Sequence, residues 1–497
     1  IKDGQYNVAV GVNAGLSTTD GTSNTFIGLN AGKFNTTGNY NTALGLSALQ
    51  TNVDGDYNTA IGYQSMLNYE PGDGEGYNVA IGAESLLSGT TGEKNIAIGY
   101  YSLWRTTTGD NNVAVGNEAG RSMYSTASGG ANNVFVGYRA AYYATHASGA
   151  VAIGYRAGRD FGYNNAAENN TAVGYQAGFN TTNAESVTLV GALAGAAHSH
   201  GVNSTAVGVR ALYGVSGQTS GYNTAIGAGA MRYASGSQYN VAIGDQALSG
   251  ASTGLSGDMN IAIGRQAMLS ATTAHSNTAI GNQAGQYLTG GDGNTVIGYL
   301  AGRALTTGDL NVFIGYEAGN NTDHDTESNK LVIANSNTTT PLIEGDFSAP
   351  WARVNGAFTV KDDANYPLEL IGNTGYGSSI RYVRNASSYA FYAGMVENTS
   401  RFDIAANGGA SEIVASFTSD QKVGIGTTSP DEKLDVRGDI QLKQTGDTAV
   451  TVLGDANRSG ADAHIAALRG KWNGTAVGTV MVMSGPDTTN KDDGQLT

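Results

Sequence analysis

The sequence predicts an all-β protein: a repetitive parallel β-solenoid (β-roll) of about eighteen 17-residue coils, followed by β-rich stem modules and assembled as a homo-oligomer. Three observations support this prediction: one short motif recurs, its glycines are evenly spaced, and the residues before each glycine alternate in size. The motif reads NTAIGYQS at 58–65 and returns as NVAIGAES at 78–85 and NVFIGYEA at 311–318. A stretch repeated at a fixed interval is an architectural unit, so it decides the fold before any single residue does.

The spacing of the motif glycine sets the size of the unit. Twelve of the seventeen intervals between copies are 17 residues long, and the other five are 19 to 21. Seventeen residues are too few for a helical hairpin and suit one coil with two short strands and two corners. Coils stacked at ~4.8 Å would make a rod of roughly 85 Å. The eighteen glycines are Gly11, Gly28, Gly45, Gly62, Gly82, Gly99, Gly116, Gly137, Gly154, Gly174, Gly191, Gly208, Gly227, Gly244, Gly264, Gly281, Gly298 and Gly315.

The residues before the glycine predict one short strand per coil. In Val79-Ala80-Ile81, alternation sends the two aliphatic side chains to one face and the alanine to the other. We expect the aliphatic side chains to fill the coil and the small alanines to allow close approach of partner chains. Ala80, Ala97 and Ala114 are therefore the predicted interface between chains of a homo-oligomer, in which periodicity alone does not choose between two and three chains; three chains would make it a trimer interface.

Two further positions of the repeat predict corner geometry. The glycine marks a corner where a side chain would clash or where positive φ is needed. Asparagine stands four residues before the glycine in fifteen copies, which predicts a ladder of side chains, each bonded to backbone and to its stacked copy.

Composition excludes several classes of function. The net charge of −15 disfavours nucleic acid as a partner, and the absence of cysteine excludes a disulfide framework. No apolar run approaches the ~20 residues of a membrane span, so no membrane insertion is expected. Phosphate-binding, dinucleotide and nucleophile motifs are missing as well. The sequence thus predicts no enzyme, no cofactor, and no catalytic or metal-binding residue; the acidic corners at 70–75 and 323–327 are interpreted as solvated turns, with Ca²⁺ binding as the alternative.

The motifs also carry a resemblance to known families. The series N-[TV]-A-[IV]-G-x-x-A is similar to the head repeats of trimeric autotransporter adhesins, which implies left-handed parallel β-rolls wound three together. The segments KLVIANSNTTTPLIEGDF (330–347), RVNGAFTV (353–360) and KVGIGTTSPDEKLDVRGDIQL (422–442) resemble stem segments of bacteriophage tail fibres.

Four regions follow from these motifs. Residues 1–328 are the predicted β-roll and 329–350 a transition segment. The pattern V-x-G-x-φ-x-φ-K, where φ is an apolar residue, occurs at 354–361 and again at 436–443. We therefore expect a first β stem module at 351–430 and a second, incomplete one at 431–497.

The resemblance implies a structural and host-attachment fibre of a phage tail, located on the virion and extracellular. Its expected partners are two further copies of itself, other tail or fibre proteins, and a bacterial surface glycan or outer-membrane receptor. A trimeric adhesin on the bacterial cell surface is the alternative. A tailspike that depolymerises polysaccharide is a third reading, and it would need two carboxylates held across a glycosidic bond.

Aromatic residues give the candidate glycan or receptor contacts. The five longer intervals place extra residues at 67–77, 121–132, 159–169, 213–222 and 249–259, and a solenoid accommodates insertions by bulging them outward. The aromatic residues of these loops are Tyr69, Tyr77, Tyr124, Phe161, Tyr163, Tyr213 and Tyr222. Seven further tyrosines directly follow the repeat glycine and predict an aromatic ladder, used for packing or for stacking on sugars: Tyr63, Tyr100, Tyr138, Tyr155, Tyr175, Tyr299 and Tyr316.

Overall fold

A computed structural model describes most of the chain. It covers residues 4–70, 76–123, 130–163, 167–198, 201–215, 220–252, 254–321 and 324–358, and then 379–383, 390–395, 401–406, 413–438, 440, 464–472, 475–484 and 494–496. These residues form strands and turns, with no helix among them. The chain divides into two units, residues 1–358 and 359–497.

The first unit is a parallel β-solenoid, as predicted. Each coil contributes a three-residue strand that ends on the residue before the repeat glycine, and every strand pairs in parallel with its copy in the next coil, as Ala80 does with Ala97. The strands are Val8–Val10 (β1), Thr25–Ile27 (β2), Thr42–Leu44 (β3), Thr59–Ile61 (β4), Val79–Ile81 (β5), Ile96–Ile98 (β6), Val113–Val115 (β7), Val134–Val136 (β8), Val151–Ile153 (β10), Thr171–Val173 (β12), Thr188–Val190 (β13), Thr205–Val207 (β14), Thr224–Ile226 (β15), Val241–Ile243 (β16), Ile261–Ile263 (β17), Thr278–Ile280 (β18), Thr295–Ile297 (β19) and Val312–Ile314 (β20). Two-residue strands Ala147–Ser148 (β9) and Ala167–Glu168 (β11) pair on another side of the coils.

The predicted facing of these strands is wrong. Ala80, Ala97 and Ala114 are 0% exposed within a single chain, whereas the aliphatic residues on either side of them face outward. The cause lies across the thin coil, where the fourth residue after the glycine points inward. In the coil of Ala97 that residue is the buried Leu103, and only a small side chain on the strand leaves room for it. These three alanines are core residues and cannot line an interface between chains.

In most coils the core keeps its volume by exchanging large and small residues across the coil; where both are small, as at Ala114 and Gly120, Leu103 and Phe135 of the neighbouring coils fill the space. Where the inward strand residue is Ala43 or Ala60, the fourth residue after the glycine is Leu49 or Met66. Where the strand carries Phe26, that position is Gly32, and a Cβ added there would lie 2.4 Å from the phenyl ring. The same exchange pairs Leu189 with Gly195, Val296 with Gly302 and Phe313 with Gly319.

The side of each coil that follows the glycine is a hydrogen-bonded turn, where a second strand was predicted. Alternate residues have positive φ, as at Gln64 (50°) and Met66 (50°). The amide of Gln64 donates to Leu46 O in the preceding coil at 2.9 Å, and the amide of Met66 donates to Ser85 O in the following coil at 2.9 Å. This backbone therefore bonds between coils as a sheet does, although its dihedral angles are not those of a strand.

The two corner predictions are confirmed. Gly99 has φ +129°, and a Cβ there would lie 2.6 Å from the carbonyl oxygen of Gly116, so both steric reasons for glycine hold. In the asparagine ladder, Asn95 Oδ1 accepts from the Asn112 amide at 3.0 Å, and Asn95 Nδ2 donates to Gly109 O at 2.8 Å. The ladder satisfies backbone groups that the corner would otherwise leave unpaired in the core. It is interrupted where Ala150, Val187 and Ser204 replace asparagine.

An antiparallel hairpin closes the C-terminal end of the solenoid. Strand β21 (Lys330–Ile333) continues the parallel stack beyond β20, and β22 (Ile343–Asp346) and β23 (Trp351–Val354) then pair antiparallel. The predicted transition segment 329–350 therefore extends the sheet, and the first residues assigned to the stem module belong to the solenoid unit. Lys330 Nζ lies 2.7 Å from Asp346 Oδ2; this contact raises the pKa of Lys330 and, with hydrogen bonds from Ser348, holds that of Asp346 well below its usual range.

The second unit consists of two antiparallel-rich sheets in its described part. The first contains Ser379–Val383 (β24), Ala390–Met395 (β25), Arg401–Ala406 (β26), Ile413–Thr418 (β27), Val423–Ile425 (β28) and Leu434–Val436 (β29), of which only β28 and β29 pair in parallel. The second contains His464–Trp472 (β30), Thr475–Ser484 (β31) and Gly494–Leu496 (β32). Across the described residues of both units, no helix is long and apolar enough to cross a membrane.

Candidate functional site

Two surfaces of the solenoid are candidates for function, and the repeat register defines both. The turn face consists of the six residues that follow each repeat glycine, of which the third and fourth point into the core. The aliphatic stripe consists of the outward residue directly before each glycine. Its eighteen members are Val10, Ile27, Leu44, Ile61, Ile81, Ile98, Val115, Val136, Ile153, Val173, Val190, Val207, Ile226, Ile243, Ile263, Ile280, Ile297 and Ile314.

Two of the predicted glycan contacts are core residues. Tyr69 and Phe161 are 0% exposed, so neither can meet a ligand, and burial raises the pKa of the Tyr69 phenol. Both stand seven residues after their repeat glycine, a position that points inward in regular coils, where it carries residues such as Thr106 and Leu305. Counting from the glycine rather than from the loop ends would have shown this.

Two other predicted contacts lie on the surface, in tyrosine stacks. Tyr77 stacks on Tyr57, with ring centroids 4.9 Å apart, and Tyr57 stacks on Tyr40 at 4.8 Å. Tyr222 stacks on Tyr239 at 4.9 Å. All five precede the ladder residue of their coil, so their ring faces cover one another and mainly edges and hydroxyls remain for solvent.

The remaining loop aromatics differ in exposure. Tyr163 is half exposed and meets the edge of Tyr143 at 5.6 Å between ring centroids. Tyr213 is partly buried. Tyr124 lies outside the described residues.

The predicted ladder of tyrosines after the glycine forms where such residues occur in successive coils. Tyr138, Tyr155 and Tyr175 stack at 5.5 and 5.2 Å, and Tyr299 stacks on Tyr316 at 5.1 Å. The other two are singletons in the register. Tyr63 has Leu46 and Ala83 in the neighbouring coils. Tyr100 contacts Tyr101 of its own coil, with ring centroids 3.9 Å apart.

An arginine–aromatic patch occupies the turn face of five successive coils, at 100–105, 117–122, 138–143, 155–160 and 175–180. These segments hold nine aromatic residues and five arginines against two carboxylates, whereas the whole chain carries a net charge of −15. The thirteen other turn segments together hold seven aromatic residues. Sequence reasoning noted one column of this patch, the tyrosines after the glycine, and missed the arginines beside it.

Arg121 is the centre of one half of the patch. Its guanidinium carbon lies 4.8 Å from the ring centroid of Trp104 and 5.3 Å from that of Tyr101, and it donates a hydrogen bond to the Tyr142 hydroxyl. Glu118 pairs with both Arg121 and Arg139. A hydrogen bond with Tyr100, followed by burial and the Glu84 carboxylate, raises the pKa of Tyr101 to about 12. Cation–π contacts and the shared carboxylate thus fix the arginines in place.

The other half of the patch contains Arg156 and Arg159. Arg159 forms a bidentate pair with Asp160 and lies 3.9 Å over the Phe179 ring. Arg156 lies 5.1 Å over the Tyr155 ring and makes no ion pair with any carboxylate in the described part of the chain. Its Nε is buried, and no described group accepts a hydrogen bond from it. The patch therefore holds an oriented cation that no described carboxylate balances.

No metal-binding cluster of three or more His, Asp or Glu side chains occurs among the described residues. Of the acidic corners, residues 71–75 and 323 lie outside the described part of the chain. Comparisons with protein-family models, curated proteins and solved structures give no match to this chain.

Proposed function

We propose that the chain is the structural and host-attachment fibre protein of a phage tail, assembled as a homotrimer. The observation that supports this most is the aliphatic stripe, which runs without interruption along all eighteen coils on the outside of a single chain. The whole outward face of the strands, which the stripe shares with the valine, isoleucine or threonine three residues before each glycine, measures roughly 85 by 10 Å, or ~850 Å². The stripe is about half of this face, a continuous apolar patch of the size that often marks an interaction surface.

A second and a third copy of the same chain are the proposed occupants of the stripe. Burial of the whole outward strand face, roughly 850 Å² per copy, would match the ~800 Å² that each partner buries in a stable interface. Only a partner with the same coil spacing can stay in register with this stripe along its whole length. Another copy of the chain has that spacing. The number three comes from the resemblance of the repeats to trimeric fibre heads. In this proposal the interface is the stripe, and the alanines remain in the core.

The proposed mechanism is rigid reach combined with multivalent attachment. Coils that are hydrogen-bonded to one another along the described part of the solenoid give a stiff shaft that holds binding surfaces away from the particle, where other tail or fibre proteins join it. Three linked chains raise the avidity for a bacterial surface glycan or outer-membrane receptor, even where each single contact is weak. A bacterial surface adhesin would use the same architecture and stays the alternative, with a depolymerase as the third candidate.

The test of attachment uses the labelled full chain and a panel of bacterial strains, each intact or with its surface polysaccharide removed. Saturable binding to at least one intact strain, without release of oligosaccharide, is the expected result. Release of oligosaccharides from purified polysaccharide would replace the proposal with the depolymerase. Absence of binding to every strain would remove the attachment role from this chain.

A further inference from the structure

We propose that the arginine–aromatic patch binds an acidic polysaccharide, one that carries carboxylate or phosphate groups, on the turn face of residues 100–180. This inference rests on the proposed attachment function and assigns its ligand class. It moves the binding site from the insertion loops alone to the turn face of five successive coils, which overlaps the start of two of those loops.

The charge of the patch favours an anion of moderate charge density. Five arginines against two carboxylates leave a local excess of positive charge on a chain whose net charge is −15. Guanidinium groups match carboxylate and phosphate oxygens in bidentate geometry. The acidic remainder of the rod would repel a densely charged strand such as a nucleic acid, which needs many cationic contacts along its backbone. A polysaccharide with one charge per sugar or per repeating unit fits the few arginines available.

The aromatic residues favour a sugar as the carrier of that charge. Tyr138, Tyr155 and Tyr175 form a stack whose exposed edges present a row of phenol groups about 5 Å apart, suited to hydrogen bonding with hydroxyls. Tyr143 and Tyr163 extend the aromatic surface beside it. Five coils at ~4.8 Å give a patch roughly 20 Å long, which accommodates a chain of sugars rather than a single one.

Preorganisation adds to the argument. Arg121, Arg139 and Arg159 are already held by aromatic rings and by Glu118 or Asp160, so little side-chain entropy is left to lose on binding. Arg156 is held over Tyr155 but has no carboxylate partner among the described residues, so no carboxylate there already balances its charge. It is the residue whose charge an incoming anion would neutralise first.

The experiment measures binding of the full chain to immobilised polymers. The probes are polygalacturonate for carboxylate, a poly(glycerol phosphate) teichoic acid for phosphate, dextran as a neutral glycan, polyglutamate as an acidic peptide, and a thymidine oligonucleotide. We expect salt-sensitive binding to at least one of the two anionic glycans, and the arm that binds identifies the anion. Dextran should bind at least about tenfold more weakly, because it lacks the charge-assisted contact. Polyglutamate should also bind more weakly, because it has no sugar hydroxyls for the row of phenol groups, and the oligonucleotide because the acidic remainder of the chain repels a densely charged strand.

Two variants assign the site. Arg156→Gln should weaken glycan binding about tenfold, the effect of losing one charged hydrogen-bonding group. Arg232→Gln is the matched control, because Arg232 lies 5.0 Å over Tyr233 in the same way but outside the patch, and it should bind as the parent does. Equal loss in both variants, or no binding to either anionic glycan, would overturn the inference. Preferred binding of polyglutamate or of the oligonucleotide would overturn it in favour of that ligand.

The same variants and the parent chain distinguish a failure of this inference from a failure of the proposed attachment function. If the chain attaches to bacterial cells but binds neither anionic glycan, the fibre role is kept and the acidic ligand is refuted. Circular dichroism and sedimentation of Arg156→Gln, each expected to match the parent, exclude a folding defect as the cause of lost binding.

Discussion

At the scale of single residues, the sequence predicted two faces for each strand but gave no direct sign of which face is inside. Alternation fixes only that Ala97 and Ile98 point in opposite directions. The deciding residue is Leu103, which fills the coil from the opposite side and leaves room only for alanine. Hydrophobicity alone would place isoleucine inside. Which strand residues point inward could be derived only by counting the fourth residue after the glycine as a core residue and adding its volume to that of the strand residue.

Substitution at neighbouring residues tests this facing. Ala97→Glu would place an unpaired charge in a closed core and should destabilise the solenoid by several kcal/mol. Ile98→Glu on the outer face should leave the fold of each coil intact. Hydrogen exchange measures the difference: for Ala97→Glu it should rise near residues 80–116 while distant coils stay protected, because each coil contacts mainly its neighbours. Equal protection in both variants would show that Ala97 is not in the core.

The asparagine ladder gives a second prediction at this scale. Asn95→Ala removes the acceptor of the Asn112 amide and the donor to Gly109 O, and each unpaired buried group should cost about 1–3 kcal/mol. Asn95→Ser should recover part of this loss, because Ser204 takes the ladder position in its own coil and accepts from the Asn223 amide at 3.2 Å. The measurement is the local free energy of opening around residues 95–112 by hydrogen exchange. If serine and alanine prove equivalent, the ladder bonds do not stabilise the corner.

At the scale of the coil, the exchange of large and small core residues is the strongest regularity that the motif alone does not reveal. Replacing Phe26 by Ala should cost about 3–5 kcal/mol, since it leaves a cavity between coils. The double variant Phe26→Ala, Gly32→Leu should regain most of that, because Leu49 occupies the equivalent backbone position with φ 52° in a coil that has alanine on its strand. A double-mutant cycle on local opening energies is the measurement. Purely additive effects would mean that the two positions do not share one core volume.

The hairpin that closes the solenoid should respond to acid. The pKa of Asp346 is lowered in the folded chain by Lys330 and Ser348, so its contribution to stability is present above the unfolded value of 3.8 and is lost as pH falls below it. The fall in melting temperature between pH 5 and pH 2.5 should therefore be smaller in Asp346→Asn than in the parent. Asp292→Asn is the control, an acidic corner residue outside the hairpin. An equal acid response in the parent and Asp346→Asn would show that the Lys330–Asp346 pair does not stabilise the C-terminal end of the solenoid.

The candidate site was also only partly predictable from the sequence, because the sequence alone does not show which way a side chain points. Insertion lengths identify which coils carry extra residues, but register from the glycine decides whether an aromatic residue points inward, as for Tyr69 and Phe161. The arginine–aromatic patch was missed because its members are 17 to 21 residues apart and become neighbours only after stacking. Aligning the coils and comparing charge column by column would have found it.

At the scale of the whole molecule, the number of coils and their parallel stacking followed from the spacing of the glycines. The closing hairpin did not, because β21 to β23 lack the repeat, and no sequence period predicts how they pair. Assembly is the step that connects this fold to its proposed role. An aliphatic stripe that repeats in every coil exposes apolar surface to water in a monomer, and in a fibre it can form the interface between chains.

Changes to the stripe should weaken assembly without unfolding the coils. The triple variant Ile81→Ser, Ile98→Ser, Val115→Ser removes apolar area from three successive rungs and should dissociate at higher concentration than the parent. The control carries Lys94→Ser and Asn111→Ser, at exposed positions where other coils naturally have serine, such as Ser23 and Ser276. Concentration-dependent sedimentation of both variants is the measurement. Identical dissociation would place the interface elsewhere.

The mass of the native full chain in solution, measured by sedimentation equilibrium, tests the central claim most directly. The proposed fibre predicts a species of three chains over the whole accessible concentration range, because the stripe along all eighteen coils is covered only by further copies. A stable single-chain mass at the same concentrations would leave the stripe exposed to water and would contradict the account.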